Sequence, residues 1–161
     1  MKLIVAGTAC ILLASFSAAA QNDKSDWPEG SAMHTGFVFS EQLDEAQAAL
    51  EQRHKRLVEL ANEYSSDYMG TRIPSAIEAE HAAWLAYREA GCELFGAATG
   101  AGGTWPSTHA LGCEVDLTTR RLETVTNAVQ CIEAQPEDER DLGLYTCLEP
   151  LQPPVPGIGE A

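Results

Sequence analysis

A glycine-rich segment with a cysteine on each side is the feature that most constrains how this chain can fold. Residues 96–103 are Gly-Ala-Ala-Thr-Gly-Ala-Gly-Gly, and the conformational entropy of so many glycines predicts a loop here. Cys92 precedes the segment and Cys113 follows it, with helical sequence patterns on both sides. In an oxidising compartment, a Cys92–Cys113 bond would clamp the two flanking helices into a hairpin.

The first twenty residues have the composition of an export signal. Lys2 supplies a positive charge, residues 3–16 are almost all apolar or small, and Ala18-Ala19-Ala20 has the small-x-small pattern of a cleavage site. The apolar run is shorter than the roughly 20 residues that span a bilayer, and Cys10 lies too early within it for a lipoprotein signal. We therefore expect a Sec-type signal peptide cleaved after Ala20, a periplasmic or secreted protein, and no membrane insertion.

Acidic residues outnumber basic ones by 24 to 10, and the formal net charge at pH 7 is −14. Loss of Lys2 with the signal peptide would make the mature chain one unit more negative. A surface of this charge repels nucleic acids and anionic lipid and attracts basic proteins. Simple solubility explains the same composition, so the charge alone does not identify a partner.

Apolar periodicity and end signals predict four helices and no strand. The first begins at Phe39 or Ser40, with Ser40 as the N-cap, and ends at Gly70. Pro74 suits the first turn of the second helix. The predicted helical ranges are 39–69, 74–95, 116–131 and 136–148. The stripe predicted to be buried on the second helix comprises Ile77, Ala83 or Trp84, Tyr87, Gly91, and Leu94 or Phe95.

The expected fold class is all-α, a small helical hairpin or bundle of about four helices stapled by disulfides. The predicted organisation is a signal peptide at 1–20, a flexible lead-in at 21–38, the helical domain at 39–148 and a disordered Pro-rich tail at 149–161. The mature part has the length of one ordinary domain.

Four cysteines remain in the mature chain, and four cysteines allow three pairings. We favour the sequential pairs Cys92–Cys113 and Cys131–Cys147 because each pair brackets a turn between predicted helices. Each bond would contribute about 3 kcal/mol in the chain-entropy account. The alternative is a zinc site or a reactive thiol, but the chain has no CxxC and its histidines lack ligand spacing near cysteine. We therefore expect no metal and no other cofactor.

The chain lacks the sequence motifs of common active sites. It contains no GxSxG, no HExxH and no phosphate-binding GxxxxGK[ST]. Glu78 and Glu80 are expected to be solvated carboxylates, and His54, His81 and His109 to be isolated surface residues. We therefore predict that the protein is not an enzyme and has no catalytic residues.

An ordered set of residues spans the hairpin region, from Trp84 on the second helix to Leu122 on the third. Its members are Trp84, Tyr87, Arg88, Cys92, Gly102, Gly103, Cys113, Leu117, Thr118, Arg121 and Leu122. This set resembles the LprI-like lysozyme-inhibitor family of exported bacterial proteins, and the resemblance covers residues 78–126. Members often carry another cysteine pair near the start of the domain, which is absent from residues 21–91, and His81 occupies a position where the family commonly has Gln.

Two interpretations of the motif side chains remain open. Trp84 and Tyr87 lie close to one helical face with Arg88 and Cys92, which is typical of core packing, with Arg88 capping or pairing locally. Alternatively, Tyr87 or Arg88 reaches the surface as an anchor for a partner, because Tyr and Arg are enriched at binding hot spots. For Arg121 the same choice is between a structural ion pair and a contact residue.

The resemblance implies inhibition of lysozyme by direct binding. The expected partner is a basic lysozyme-type protein, and the candidate contact is the Gly96–Gly112 loop, which carries Trp105 and His109. The bland alternative is that this loop is a plain connector. The alternative function is a small envelope structural or adaptor protein with no lysozyme affinity, and the oligomeric state is not predicted.

Overall fold

The computed structural model describes residues 23–65 and 72–153. Four α-helices account for most of these residues, and no strand occurs among them, which confirms the all-α prediction. The helices are α1 (Ala32–Tyr64), α2 (Arg72–Ala98), α3 (Trp105–Ala134) and α4 (Arg140–Cys147). Short 3-10 helices occur at Lys24–Asp26, Glu137–Glu139 and Glu149–Leu151. The predicted signal peptide and the predicted end of the first helix at Gly70 lie outside the described residues.

Within the described ranges, none of the helices has the length and apolar character needed to cross a lipid bilayer.

α1 begins two turns earlier than the sequence predicts, so residues 32–38 of the expected flexible lead-in are helical. The N-cap is Ser31 rather than Ser40, and the Ser31 Oγ accepts a hydrogen bond from the backbone N–H of His34 at 3.2 Å. The prediction was wrong because this segment has no acidic first turn and depends on packing against α3 for its helical form.

α1 and α3 run side by side in the same direction. At one end the Thr108 hydroxyl donates to the Ala32 carbonyl oxygen at 2.9 Å, and at the other Arg56 pairs with Glu133 at 2.8 Å. α2 runs antiparallel to both and packs mainly on α3. The three long helices therefore form an elongated bundle whose ends differ in what they bury.

The aliphatic core occupies the half of the bundle that α4 covers. Its fully buried members include Leu50, Leu57 and Leu60 of α1, Val125, Val129 and Ile132 of α3, and Leu144 of α4. In the other half the buried side chains are polar, small or disulfide-bonded, as with Arg88, Cys92, Thr108 and Thr118. The end formed by the hairpin is therefore held together by different interactions from the core.

Both disulfides follow the sequential pairing that the sequence favours. Cys92 bonds to Cys113 and joins α2 to α3, with their Cα atoms 5.5 Å apart. Cys131 bonds to Cys147 and joins α3 to α4, with a Cα–Cα distance of 5.6 Å. The first bond holds the two helices of the hairpin together near their connection, and the second fixes the short helix on the core.

The hairpin connection is shorter than predicted. α2 continues through Gly96 to Ala98, and α3 begins at Trp105 rather than at Asp116, so the connector comprises only residues 99–104. Gly96 is buried within α2, where a Cβ atom would lie 2.3 Å from the Pro106 carbonyl oxygen. The glycine permits close approach of the two helices, and the expectation that it begins a loop was wrong.

The prediction of a buried stripe on α2 was also wrong for the later residues of the stripe. Tyr87, Leu94 and Phe95 are exposed by 67%, 70% and 54%. The residues that α2 buries are Pro74, Ile77, Arg88, Cys92 and Gly96. Apolar periodicity missed this face because its central member, Arg88, is charged.

The chain stays packed against the core beyond residue 148, where the sequence predicts that the tail begins. Glu149–Leu151 form a 3-10 helix, and Leu151 packs partly buried against the core. The fourth helix starts as the 3-10 turn Glu137–Glu139 before α4, close to the predicted range. The rest of the predicted tail, from residue 154, lies outside the described residues.

The close helix approach at Gly96 predicts opposite effects for two Gly→Ala substitutions on α2. Gly96→Ala should destabilise the protein by about 1–3 kcal/mol, because the new methyl group meets backbone atoms of α3. Gly91→Ala should stabilise it by about 0.5–1 kcal/mol, since no atom lies within 4 Å of the added Cβ. Urea unfolding of both variants measures the difference, and equal effects would contradict the packing at Gly96.

Candidate functional site

The guanidinium of Arg88 lies where the three long helices meet. Its Nη1 donates to Thr118 Oγ1 of α3 at 3.0 Å, and Nη1 and Nη2 each lie 3.4 Å from Gln47 Oε1 of α1. Its Nε lies 3.5 Å from Glu114 Oε2 of α3. The whole residue is only 8% exposed. The sequence predicted a local cap or local partner for Arg88, whereas its hydrogen-bond and ion-pair partners lie on the other two helices.

A second buried guanidinium lies on the same aromatic ring. Arg121 of α3 pairs with Glu80 of α2, which gives it a structural ion pair rather than a surface position. The Cζ atoms of Arg88 and Arg121 each lie 5.5 Å from the centroid of the Trp84 ring, within cation–π range. We call Trp84, Arg88, Thr118, Arg121 and Glu80 the Trp84 cluster; the first four are motif residues.

Two histidines extend this stack toward α1. The rings of His54 and His81 are stacked with centroids 3.9 Å apart, and His81 stacks on Trp84 at 6.1 Å. Neither histidine is the isolated surface residue that the sequence predicted, because the packing of α1 on α2 brings the two together. The pKa of His81 is lowered to about 4, first by burial and then by the nearby His54, Arg121 and Arg88, while Glu51 acts against them.

The polar groups of the Trp84 cluster are engaged mainly with one another. Both of its nearby carboxylates, Glu80 and Glu114, face arginine. Among residues 23–65 and 72–153, no group of three or more His, Cys, Asp or Glu side chains is placed to hold a metal ion. Because the contacts of Arg88 and Arg121 join α1, α2 and α3, the Trp84 cluster fixes the register of the three helices.

Trp105 and His109 lie on the first turns of α3 and not on a loop. Their rings stack with centroids 5.6 Å apart, and Trp105 is 36% exposed. His109 also lines a shallow groove with Phe39 of α1 and Phe95 of α2. The remaining lining residues are Gly112, Cys113, Asp116 and Leu117. We call this depression the aromatic groove.

The aromatic groove depends on a second close approach of helices. A Cβ atom at Gly112 of α3 would lie 2.9 Å from the ring of Phe39, so α1 reaches α3 closely here. The sequence did not single out Phe39 or Phe95 as contact residues. Phe95 was recognised as apolar and was placed in the core, and Phe39 fell at the edge of the predicted lead-in.

The other motif residues lie around the hairpin. Leu117 is half-buried in the aromatic groove, and Leu122 is half-buried beside Ala46 of α1. Gly102 is exposed in the connector, and Gly103 has a φ of 65°, in the left-handed region that favours glycine, two residues before α3 begins.

Charge is distributed unevenly along the bundle. The part of each long helix that lies toward the hairpin connection contains no Lys or Arg: α1 has none before Arg53, α2 none after Arg88 and α3 none before Arg120. We call this part of the bundle the hairpin end. The hairpin end therefore carries no Lys or Arg on any of these helices, and the nearby Lys24 pairs with Glu41. Among its Asp, Glu, Lys and Arg side chains, Lys24 is therefore the single basic one that the described residues place at this end.

The sequence matches the protein family described as Lysozyme inhibitor LprI over residues 28–124. That range is more than half of the chain. The protein belongs to this family. Among curated proteins and solved structures, none matches the chain. The family match spans α1, α2, the Trp84 cluster and the aromatic groove, and it ends within α3, before the α4 disulfide.

The buried position of Arg88 predicts a large loss of stability on its removal. Arg88→Met should cost about 3–5 kcal/mol, because Gln47, Thr118 and Glu114 lose a common partner inside the bundle. Arg120→Met is the matched control, since Arg120 pairs with Asp116 on the surface and should contribute less than about 1 kcal/mol. Chemical unfolding of both variants measures this difference, and equal losses would contradict the scaffold role.

The histidine stack predicts that stability falls in mild acid. The folded state lowers the pKa of His81 to about 4 from an ordinary value of 6.5, so the unfolded chain binds more protons between these values. The contribution of neutral His81 is complete above pH 6.5 and is lost as the pH falls toward 4. The free energy of unfolding, measured from denaturant curves at pH 7 and pH 4.5, should therefore differ less between the two pH values for His81→Gln than for the unchanged protein. An equal difference in the two proteins would contradict the burial of a neutral His81.

Proposed function

We propose that the mature protein binds a basic lysozyme-type muramidase and slows it, without converting any substrate itself. The observation that carries this proposal is membership of the LprI family over residues 28–124. Inhibition then needs only a surface that covers the access to the enzyme cleft, where lysozymes use a pair of carboxylates to cleave glycosidic bonds.

The charge of the chain supports this partner. A net charge of −14 would steer a strongly basic enzyme toward the protein and raise the association rate at low salt. The same charge disfavours nucleic acid and anionic lipid as ligands. We propose that the protein meets its partner in the periplasm or outside the cell, after cleavage of the predicted signal peptide behind Ala20, with both disulfides intact.

The proposal predicts salt-sensitive inhibition of lysis. Mature protein from Gln21 onward, added in micromolar amounts to a lysozyme lysis assay, should slow lysis at 0.1 M salt. Association, followed by surface binding, should slow markedly by 1 M salt, because the Debye length falls from about 10 Å to about 3 Å. A reference protein of equal net charge and unrelated fold should not inhibit.

A folded protein that binds no class of lysozyme at micromolar concentration would overturn this function. The small envelope adaptor without lysozyme affinity would then be the better account of the chain. Circular dichroism and non-reducing peptide mapping of the same preparation establish that the helices and both disulfides are present.

A further inference from the structure

The hairpin end exposes large apolar side chains that the fold does not need for packing. Tyr87 and Leu94 on α2 are exposed by 67% and 70%, and Phe95 by 54%. Trp105 at the start of α3 is 36% exposed. Isolated exposed apolar residues are common on protein surfaces, but a contiguous group of them marks an interaction site.

These four side chains lie on neighbouring parts of α2 and α3, on either side of the connector. Tyr87 and Leu94 are two helical turns apart and lie on the same side of α2, with Gly91 between them leaving a depression. Phe95 adjoins Leu94 and lines the aromatic groove with His109, whose ring stacks on Trp105. We call Tyr87, Leu94, Phe95 and Trp105 the aromatic strip.

The helix backbones that carry the strip are held in a fixed arrangement before any partner arrives. The Cys92–Cys113 bond joins α2 to α3 beside it, and Gly96 brings the backbones of the two helices into contact. Little conformational entropy is then lost on binding, which favours affinity for a given contact area.

On the other side of the hairpin from the aromatic groove lie carboxylates, two of which have no ion-pair partner among the described residues. Glu89 and Glu93 of α2 line a groove with Glu114 of α3. Glu114 faces Arg88, but in the part of the chain that the structure describes no basic side chain lies within ion-pair distance of Glu89 or Glu93. From residue 89 to residue 119 the chain contains no Lys or Arg at all.

From these observations we infer that the hairpin end is the binding surface for the basic lysozyme-type partner, with the aromatic strip as its anchor and Glu89 and Glu93 steering the encounter. This inference rests on the proposed function and specifies where that function resides. Trp105 and His109, the contact candidates from the sequence, belong to this surface, although they lie on a helix and not on a protruding loop.

The chemistry of the surface selects among partners. Buried aromatic anchors surrounded by polar groups dominate the binding energy of many protein interfaces. A second copy of this chain would place acidic hairpin ends against each other, and an acidic protein would be repelled in the same way. A basic protein complements both the apolar strip and the charge.

Substitutions at opposite ends of the bundle test the anchor. In the mature protein, Leu94→Ser and Trp105→Ala should each weaken binding to lysozyme, with Trp105→Ala raising the Kd about tenfold or more. The matched controls are Leu142→Ser and Tyr145→Ala on α4, whose side chains are 70% and 46% exposed at the other end. The controls should change the Kd by less than about twofold. Thermal unfolding checks each variant, and Leu94→Ser, at a 70% exposed position, should retain its stability.

Two double variants that remove the same number of charges test the electrostatic steering of the partner. Glu89→Gln with Glu93→Gln removes two charges at the hairpin end, and Glu137→Gln with Asp138→Asn removes two from the exposed turn before α4. The first pair should slow association at least about threefold more than the second and reduce its salt dependence. Since both pairs change the net charge equally, only the position of the charge differs.

The outcomes separate the surface from the function. If the unchanged protein binds lysozyme and substitutions at the two ends of the bundle change the Kd equally, the assignment of the hairpin surface is wrong and the inhibitor function stands. If the correctly folded unchanged protein does not bind lysozyme, the function and the surface assigned to it are both overturned.

Discussion

Burial of the Arg88 charge is the constraint on which the arrangement of the three long helices depends. A guanidinium is always charged in proteins, and removing it from water is tolerable only when its N–H groups find partners. Here Gln47 comes from α1, and Thr118 and Glu114 come from α3. A slide of any one helix by a turn would leave a buried charge or hydroxyl unpaired. The polar contacts therefore specify helix register where few aliphatic side chains are present to do so.

The two halves of the bundle are stabilised by different interactions. The aliphatic side chains of α1, α3 and α4 form a dry core, and the Cys131–Cys147 bond fixes α4 over it. The hairpin half has no comparable core and relies on the Trp84 cluster, on Cys92–Cys113 and on the close contact at Gly96. Because this half is held from within by polar and covalent links, it can leave apolar side chains exposed without losing its shape.

The motif residues and the proposed contact residues are largely different sets. Trp84, Arg88, Thr118 and Arg121 are buried or half-buried and hold the scaffold. Tyr87 is the exception, a motif residue whose ring points into solvent. The buried motif residues thus fix the register of the helices, while the proposed contacts with a partner use side chains that packing does not require. Fold and function therefore need separate tests.

The sequence by itself determined the helical class and the family, and it favoured the disulfide pairing that the structure shows. Periodicity, cysteine spacing and motif order are properties of neighbouring residues, which a linear pattern records. It did not reveal that α1 starts at Ala32, that Gly96 lies inside a helix, or that His54 and His81 stack. Those features arise from contacts between residues far apart in the chain. Tertiary structure alone decided that Arg88 is buried and Tyr87 exposed, because three helices can supply hydrogen bonds to a guanidinium, and no pattern within one helix shows that the partners will be there.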